Sequence, residues 1–255
     1  MHKKVTYLGL AALFSIGLAS CGGGGGDSPA TTGPTAEGVY GGTLTGSTSS
    51  AFQLLVLENG DFWAMYGTQT PSVFGVAGFI QGAGRSNNGS FTSSDTKDFG
   101  RNPAVAGATT ATYNATAKTI SGTVTGAAGT VSFSGGPIAG SLYNYDTPAS
   151  LSTISGAWST TILTGESLAI DIAASGTFTA TSGLGCNLSG TVTPRPSGKN
   201  VFNVSITFGP APCALAGQSA TGIAVAYPIA SGKTQLIVAA TNSGRTVGTA
   251  AFGTR

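Results

Sequence analysis

The sequence predicts an all-β protein: two small antiparallel β-barrels in tandem, of about eight strands each, behind a flexible N-terminal tether. Three observations carry this. From Gly38 onward, short alternating segments are bounded by Gly, Asn, Ser or Pro, the punctuation of strands and turns. No window sustains a 3.6-residue apolar period, so no helix is expected after the tether. The opening also recurs: Gly38-Val39-Tyr40 is matched by Gly156-Ala157-Trp158, and Gly60-Asp61-Phe62 by Gly176-Thr177-Phe178, at offsets of 118 and 116. An internal duplication of roughly 110 residues fits these offsets, with bodies at 38–146 and 156–255 and a linker at 147–155.

The strands follow from the turns. Ala51 to Glu58 is an apolar run, and Asp61 to Tyr66 returns as an aromatic one. Asn59-Gly60 between them reads as a type I′ hairpin turn. Val76 to Gly84, Ser90 to Ser93, Ala108 to Asn114, Thr119 to Thr125 and Gly129 to Ser134 complete the first half. The second half offers Gly156 to Leu163, Leu168 to Ala173, Thr177 to Thr181, Cys186 to Thr193, Val201 to Phe208, Ser219 to Tyr227, Thr234 to Ala240 and Thr246 to Phe252. Gly-rich turns at this spacing suit a barrel or sandwich.

Residues 1–20 have the layout of a secretory signal: His2, Lys3 and Lys4, then the apolar run Val5 to Leu18, then the small residues Ala19 and Ser20. At about fourteen residues the run is too short to span a bilayer as a helix. Leu18-Ala19-Ser20-Cys21 resembles the lipobox of bacterial lipoproteins. In that family the cysteine sulfur receives a diacylglyceryl group, the peptide is cut before it, and the new amine is acylated. The resemblance implies that Cys21 is the first mature residue and that its acyl chains hold the protein on a lipid bilayer. Gly22, in place of the Asp that often retains family members in the inner membrane, points to the outer membrane of the cell envelope. Residues 21–37, with the run Gly22 to Gly26 and then Pro29 and Pro34, form the tether.

Composition narrows function. Charged residues are 8%, against about 25% in ordinary domains. Without Lys3 and Lys4 the chain is formally neutral, which offers no footprint for nucleic acid. The single histidine, His2, leaves with the signal, excluding a Ser-His-Asp triad and a histidine metal site. No cofactor or metal motif is present, so no enzyme is expected. Once Cys21 is lipidated, Cys186 and Cys213 remain, and in an oxidising envelope such a pair reads as a disulfide; two buried thiols are the alternative.

Candidate sites are few. Phe62, Trp63, Met65 and Tyr66 form the densest aromatic cluster, with Phe62 and Tyr66 on one face of a strand and Trp63 and Met65 on the other. Phe62, Trp63, Tyr66 and, in the second half, Trp158 are candidate ligand contacts, although barrel core is the commoner use of such side chains. Glu58 and Asp61 flank a turn, and Asp95 and Asp98 share a polar loop with Lys97 and Arg101. Carboxylates about 5–9.5 Å apart can hydrolyse glycosides, but nothing in this spacing requires it. Thr-x-Thr recurs at Thr43/Thr45, Thr123/Thr125, Thr177/Thr179 and Thr191/Thr193, as a wettable strand face or a surface for water or sugars. Residues 37–146 carry six acids and four bases, and residues 156–255 two acids and five bases, a polarity that could orient the protein near anionic lipid.

The tethered, glycine-punctuated, doubled strand pattern resembles the transferrin-binding-protein and factor-H-binding-protein group of surface lipoproteins. The C-terminal Ala250-Ala251-Phe252-Gly253-Thr254-Arg255 matches the group's Gly-x-Phe-x-Gly-like closing strand in part. The resemblance implies a non-enzymatic binding or surface-interaction role with a protein partner. A small apolar ligand carried inside one barrel is the alternative, and a carboxylate hydrolase ranks below both. Cys21→Ala should abolish acyl labelling and cleavage before residue 21, and release the body into the soluble fraction; a mutant still labelled or still membrane-bound contradicts the lipoprotein reading.

Overall fold

A computed structural model describes residues 33–69, 74–229 and 231–255. The signal segment, Cys21 and most of the tether lie outside the described residues. The first body consists of β1 (Gly38–Thr45), β2 (Ala51–Val56), β3 (Asp61–Gln69), β4 (Phe74–Ala83), β5 (Arg85–Asn87), β6 (Ser90–Asp98), β7 (Val105–Asn114), β8 (Thr119–Gly126) and β9 (Gly129–Gly136). Neighbours in the sheet run β4-β3-β2-β1-β9-β8-β7-β6-β5. Pairing of β4 with β6, Ile80 to Asp98 and Gln81 to Lys97, closes it. The short β5 continues β4 past Gly84, so eight staves make a closed antiparallel barrel. After α1 (Leu151–Ile154) the second barrel follows as β10 (Gly156–Ile162), β11 (Ser167–Ile172), β12 (Thr177–Ser182), β13 (Asn187–Pro194), β14 (Phe202–Phe208), β15 (Ser219–Pro228), β16 (Thr234–Asn242) and β17 (Gly248–Thr254), closed by β10 on β17.

The recurrence in the sequence occupies equivalent places. Tyr40 and Trp158 each plug the closed end of a barrel and donate to the carbonyl four residues back: Tyr40 Oη to Ala36 at 2.7 Å, and Trp158 Nε1 to Ile154 at 2.7 Å. Gly60 and Gly176 both have φ of 86°. Each donates a turn bond to the carbonyl three residues earlier, Gly60 N–H to Leu57 O and Gly176 N–H to Ala173 O. Phe62 and Phe178 then face glycines across the next strand pair, Gly82 and Gly190, where a Cβ would lie 2.6 and 2.7 Å from the ring tip. Each aromatic ring thus lies over its partner strand because that strand has no side chain there.

Two expectations about local structure change. Asn59 does not take positive φ, so Leu57 to Asp61 is a type I turn with a Gly60 bulge rather than type I′. The two-residue turn with both φ values positive is Asn88-Gly89, at 45° and 82°, between β5 and β6. The segment read as a linker at 147–155 contains α1, whose Ile154 is wholly buried in the core of the second barrel.

The cores differ from the outsides by simple alternation. Outward positions of β7, β8 and β9 are largely Thr and Ser, bonded across strands: Thr110 to Thr123 at 3.1 Å and Thr125 to Thr130 at 3.1 Å. The Thr-x-Thr runs are thus wet outer faces, and hydroxyls supply the polar surface that 8% charge does not.

The halves share an apolar seam. Outer residues of β2 to β4, among them Leu55, Trp63, Met65 and Phe79, meet Ile223, Ala239 and Ala250 of the second barrel. Trp63 stacks on Phe79 at 5.9 Å, and Phe79 on Phe99 at 4.8 Å. Around this seam, every ion pair among the described residues joins an acid of the first half to a base of the second. Glu58 meets Arg195 at 2.7 Å, Asp95 meets Arg245 at 2.6 Å, and Glu37 and Asp146 meet Lys199 at 3.1 and 2.8 Å. The charge polarity therefore works between the halves, where the sequence suggested an attraction to anionic lipid. Exposed pairs are worth at most about 1 kcal/mol each, so they set orientation while the seam supplies adhesion.

Burial pulls the Glu58 carboxyl up, but the hydrogen bond and charge of Arg195 outweigh it and hold the group below its ordinary value. Asp146 is lowered chiefly by its hydrogen bond from Lys199. A carboxyl depressed in the folded state adds stability above its unfolded value, about 4, and that contribution is lost as pH falls through the lower folded value. Calorimetry should show the melting temperature falling below about pH 4, and Arg195→Gln should shrink the fall; an identical pH slope in the variant contradicts the assignment.

Candidate functional site: the chamber of the first barrel

In a closed barrel the inward residues alone decide whether the interior is solid. The second barrel is filled by large side chains, including Ile170, Phe178, Val204, Ile206 and Leu236, leaving a void of about 50 Å³. One end is stopped by α1, Trp158 and Arg255, whose guanidinium lies 4.0 Å from the Trp158 ring centre and donates to Ser155 O at 2.6 Å. The other is covered by the loop after β14, where Cys213 and Leu215 are buried. Cys186, just before β13, is bonded to Cys213, with Cα atoms 4.5 Å apart. The bridge forms where the sequence places it, beside Pro210-Ala211-Pro212. On the chain-entropy account such a loop is worth roughly 3–4 kcal/mol.

The first barrel is stopped at one end only. Tyr40 is fully buried there, and Tyr113 Oη donates to Pro34 O at 2.6 Å. Ala36 N–H donates to Ser86 Oγ at 2.9 Å, so residues 34–36 lie across the floor. Burial pushes the Tyr40 phenol up to about 12. Above this floor Phe62 and Phe91 meet edge to face at 5.6 Å, and farther along the wall Phe52 meets Phe133 in the same way at 5.6 Å. Farther along, Ala64, Gly107, Thr109 and Val124 leave room between the larger Leu44, Tyr66, Val131 and Phe133. The result is a chamber of about 530 Å³ whose mouth is rimmed by Gly46 to Ser49 and Gly126 to Thr130. That volume falls within the range of small-molecule sites, about 300–1,000 Å³.

The walls are mostly apolar, with a few polar groups. Thr96 and Thr109 hydroxyls, both buried, bond each other at 2.8 Å. Near the mouth Tyr66 Oη donates to Asp98 Oδ1 at 2.6 Å, and Gly100 N–H donates to the same oxygen at 2.9 Å. The Tyr66 ring tip lies over Gly78 and Gly100, where a Cβ would fall 2.3 and 1.9 Å from its oxygen. Burial, then the Asp98 hydrogen bond and charge, raise the Tyr66 phenol well above its ordinary value, with Arg101 acting in the opposite sense. Arg101 is exposed, lines the mouth, and has no ion-pair partner among the described residues.

The candidate residues therefore separate. Phe62 and Tyr66 face the chamber, while Trp63, one strand face away, packs in the seam between barrels. Trp158 is core of the second barrel. Glu58 and Asp95 are held by arginines across the seam, and Asp61 accepts from Asn59 Nδ2 at 2.8 Å. The sequence offers a ligand inside one barrel as an alternative and places Asp98 and Arg101 in one polar loop, but it does not say which barrel is hollow; the nearest signal is the run of small inward residues on β7, Ala111, Thr109 and Gly107.

No family model matches the chain, and no curated protein matches it. Solved structures with some likeness include a protein of unknown function of the DUF3598 family from Nostoc punctiforme, at 12% identity and TM-score 0.26, covering 86% of this chain and 94% of that one. Transferrin binding protein B from Haemophilus parasuis is 8% identical with TM-score 0.27, covering 83% and 66%. The isotype 1 transferrin binding protein B from serogroup B Neisseria meningitidis is 10% identical with TM-score 0.25, covering 82% and 54%. The chain spans about two thirds and about half the length of these two transferrin binding proteins. At such TM-scores the likeness assigns no function.

Tyr66→Phe removes a donor to a carboxylate at the chamber wall. Denaturant unfolding should show a loss of about 1–2 kcal/mol; equal or greater stability contradicts the role given to this bond.

Proposed function

We propose that this is a non-enzymatic binding protein of the cell envelope, held on the bilayer through acylated Cys21, whose first barrel contains a small, largely apolar molecule. One observation carries the proposal: two barrels of the same strand number differ tenfold in interior space, about 530 against about 50 Å³. Filling a barrel stabilises it through burial and dispersion contacts, so an unfilled one costs stability, and a ligand offsets that cost. The chamber has the composition of a small-molecule site, apolar walls with a few polar groups at one place. The second barrel, filled, bridged by Cys186–Cys213 and joined along the seam, acts as support. A hydrolase is disfavoured, because Glu58 and Asp95 are held in ion pairs, Asp61 in a turn and Asp98 by Tyr66 and Gly100.

The neutral fluorophore N-phenyl-1-naphthylamine should bind residues 33–255 saturably at one site with a blue-shifted emission. Ala64→Phe, which places a ring in the chamber, should weaken this by roughly tenfold or more, about 1.4 kcal/mol, with an unchanged far-ultraviolet spectrum. Leu44→Trp at the mouth provides a second obstruction. Absence of binding in the parent, or full affinity in both folded variants, contradicts the proposal.

A further inference from the structure

The mouth of the chamber specifies a head group as well as a hydrophobic body. Asp98 and Arg101 both line it, three residues apart, without forming an ion pair with each other. Asp98 Oδ1 is committed to Tyr66 and Gly100, while Oδ2 accepts no hydrogen bond among the described residues. The rest of the wall is largely hydrocarbon, including Phe52, Leu54, Ile80, Val131 and Phe133, apart from the Thr96–Thr109 hydroxyl pair. A carboxylate only accepts hydrogen bonds and a guanidinium only donates them, whereas a hydroxyl does both.

We infer that the chamber takes a single-chain amphiphile with an uncharged, hydroxyl-bearing head, its chain in the barrel and its hydroxyls between Asp98 and Arg101. This rests on the container reading above. An anionic head gains Arg101 but meets Asp98; a cationic head gains Asp98 but meets Arg101. Either brings an additional charge to a mouth whose own two charges already balance, so it gains one attraction and meets one repulsion. A diol head donates to the Asp98 carboxylate, accepts from Arg101 and adds no charge.

The test is displacement of bound N-phenyl-1-naphthylamine from residues 33–255 at neutral pH by monolaurin, laurate and laurylamine, which share one chain and differ in head. Monolaurin should displace at concentrations roughly tenfold lower than either charged analogue, a difference of about 1.4 kcal/mol. Asp98→Asn should improve laurate relative to monolaurin, and Arg101→Gln should improve laurylamine. Arg101 is an exposed loop residue, so its variant remains informative if the Asp98 variant is unstable. Equal displacement by all three, a charged analogue displacing best, or an unaltered order in a folded Arg101 variant overturns the head-group assignment. Bound naphthylamine that none of the three displaces overturns the amphiphile and leaves the container standing. Failure of the naphthylamine itself to bind overturns both.

Discussion

The volume of inward-facing side chains governs this molecule. Once eight strands close, hydrogen bonding fixes the staves and the diameter follows from strand number and stagger. Nothing can collapse inward to compensate for a small residue, as loops or helices can in other folds. In the second barrel Ile170, Phe178, Ile206 and Leu236 occupy the interior. In the first, aromatic rings fill the floor, and above it small residues such as Ala64, Gly107 and Thr109 alternate with larger ones and leave space. The division into a solid support and a hollow container depends on this one difference.

The same closure explains the surface and the seam. Barrels have no free edges, so a chain with 8% charge avoids edge-to-edge pairing. Outward Thr and Ser provide hydration, and seven of the few charged residues pair where the halves meet. Acids on the first half and bases on the second make the contact complementary in one arrangement. Arg195 and Arg245 reach Glu58 and Asp95, and the Trp63–Phe79–Phe99 stack lies within the apolar seam.

Much of this is legible in the residues. Alternation and glycine spacing predict strands, because both are local. The paired Gly38/Gly156 and Gly60/Gly176 openings mark equivalent corners of two barrels, since an aromatic plug and a positive-φ turn each demand particular residue types. The Cys186–Cys213 bridge follows from redox context and count. That Phe62 and Trp63 face opposite ways is certain from strand geometry, but which way is inward depends on register with strands far away in sequence. The turn at Asn59-Gly60 is misread because Asn-Gly fits both a two-residue turn and a longer one with a bulge. The segment 151–154 is too short for a helical period to register. The chamber is hidden for a deeper reason: it is a sum over eight inward faces, and no single stretch reports it.

The most direct measurement is a crystal structure of residues 33–255 grown with a bromine-terminated long-chain alcohol, read by the anomalous signal of bromine. One strong bromine peak is expected deep in the first barrel near Phe62 and Phe91, with the hydroxyl at the mouth beside Asp98 and Arg101. Bromine found only at the seam, on the outer surface or inside the second barrel would contradict it.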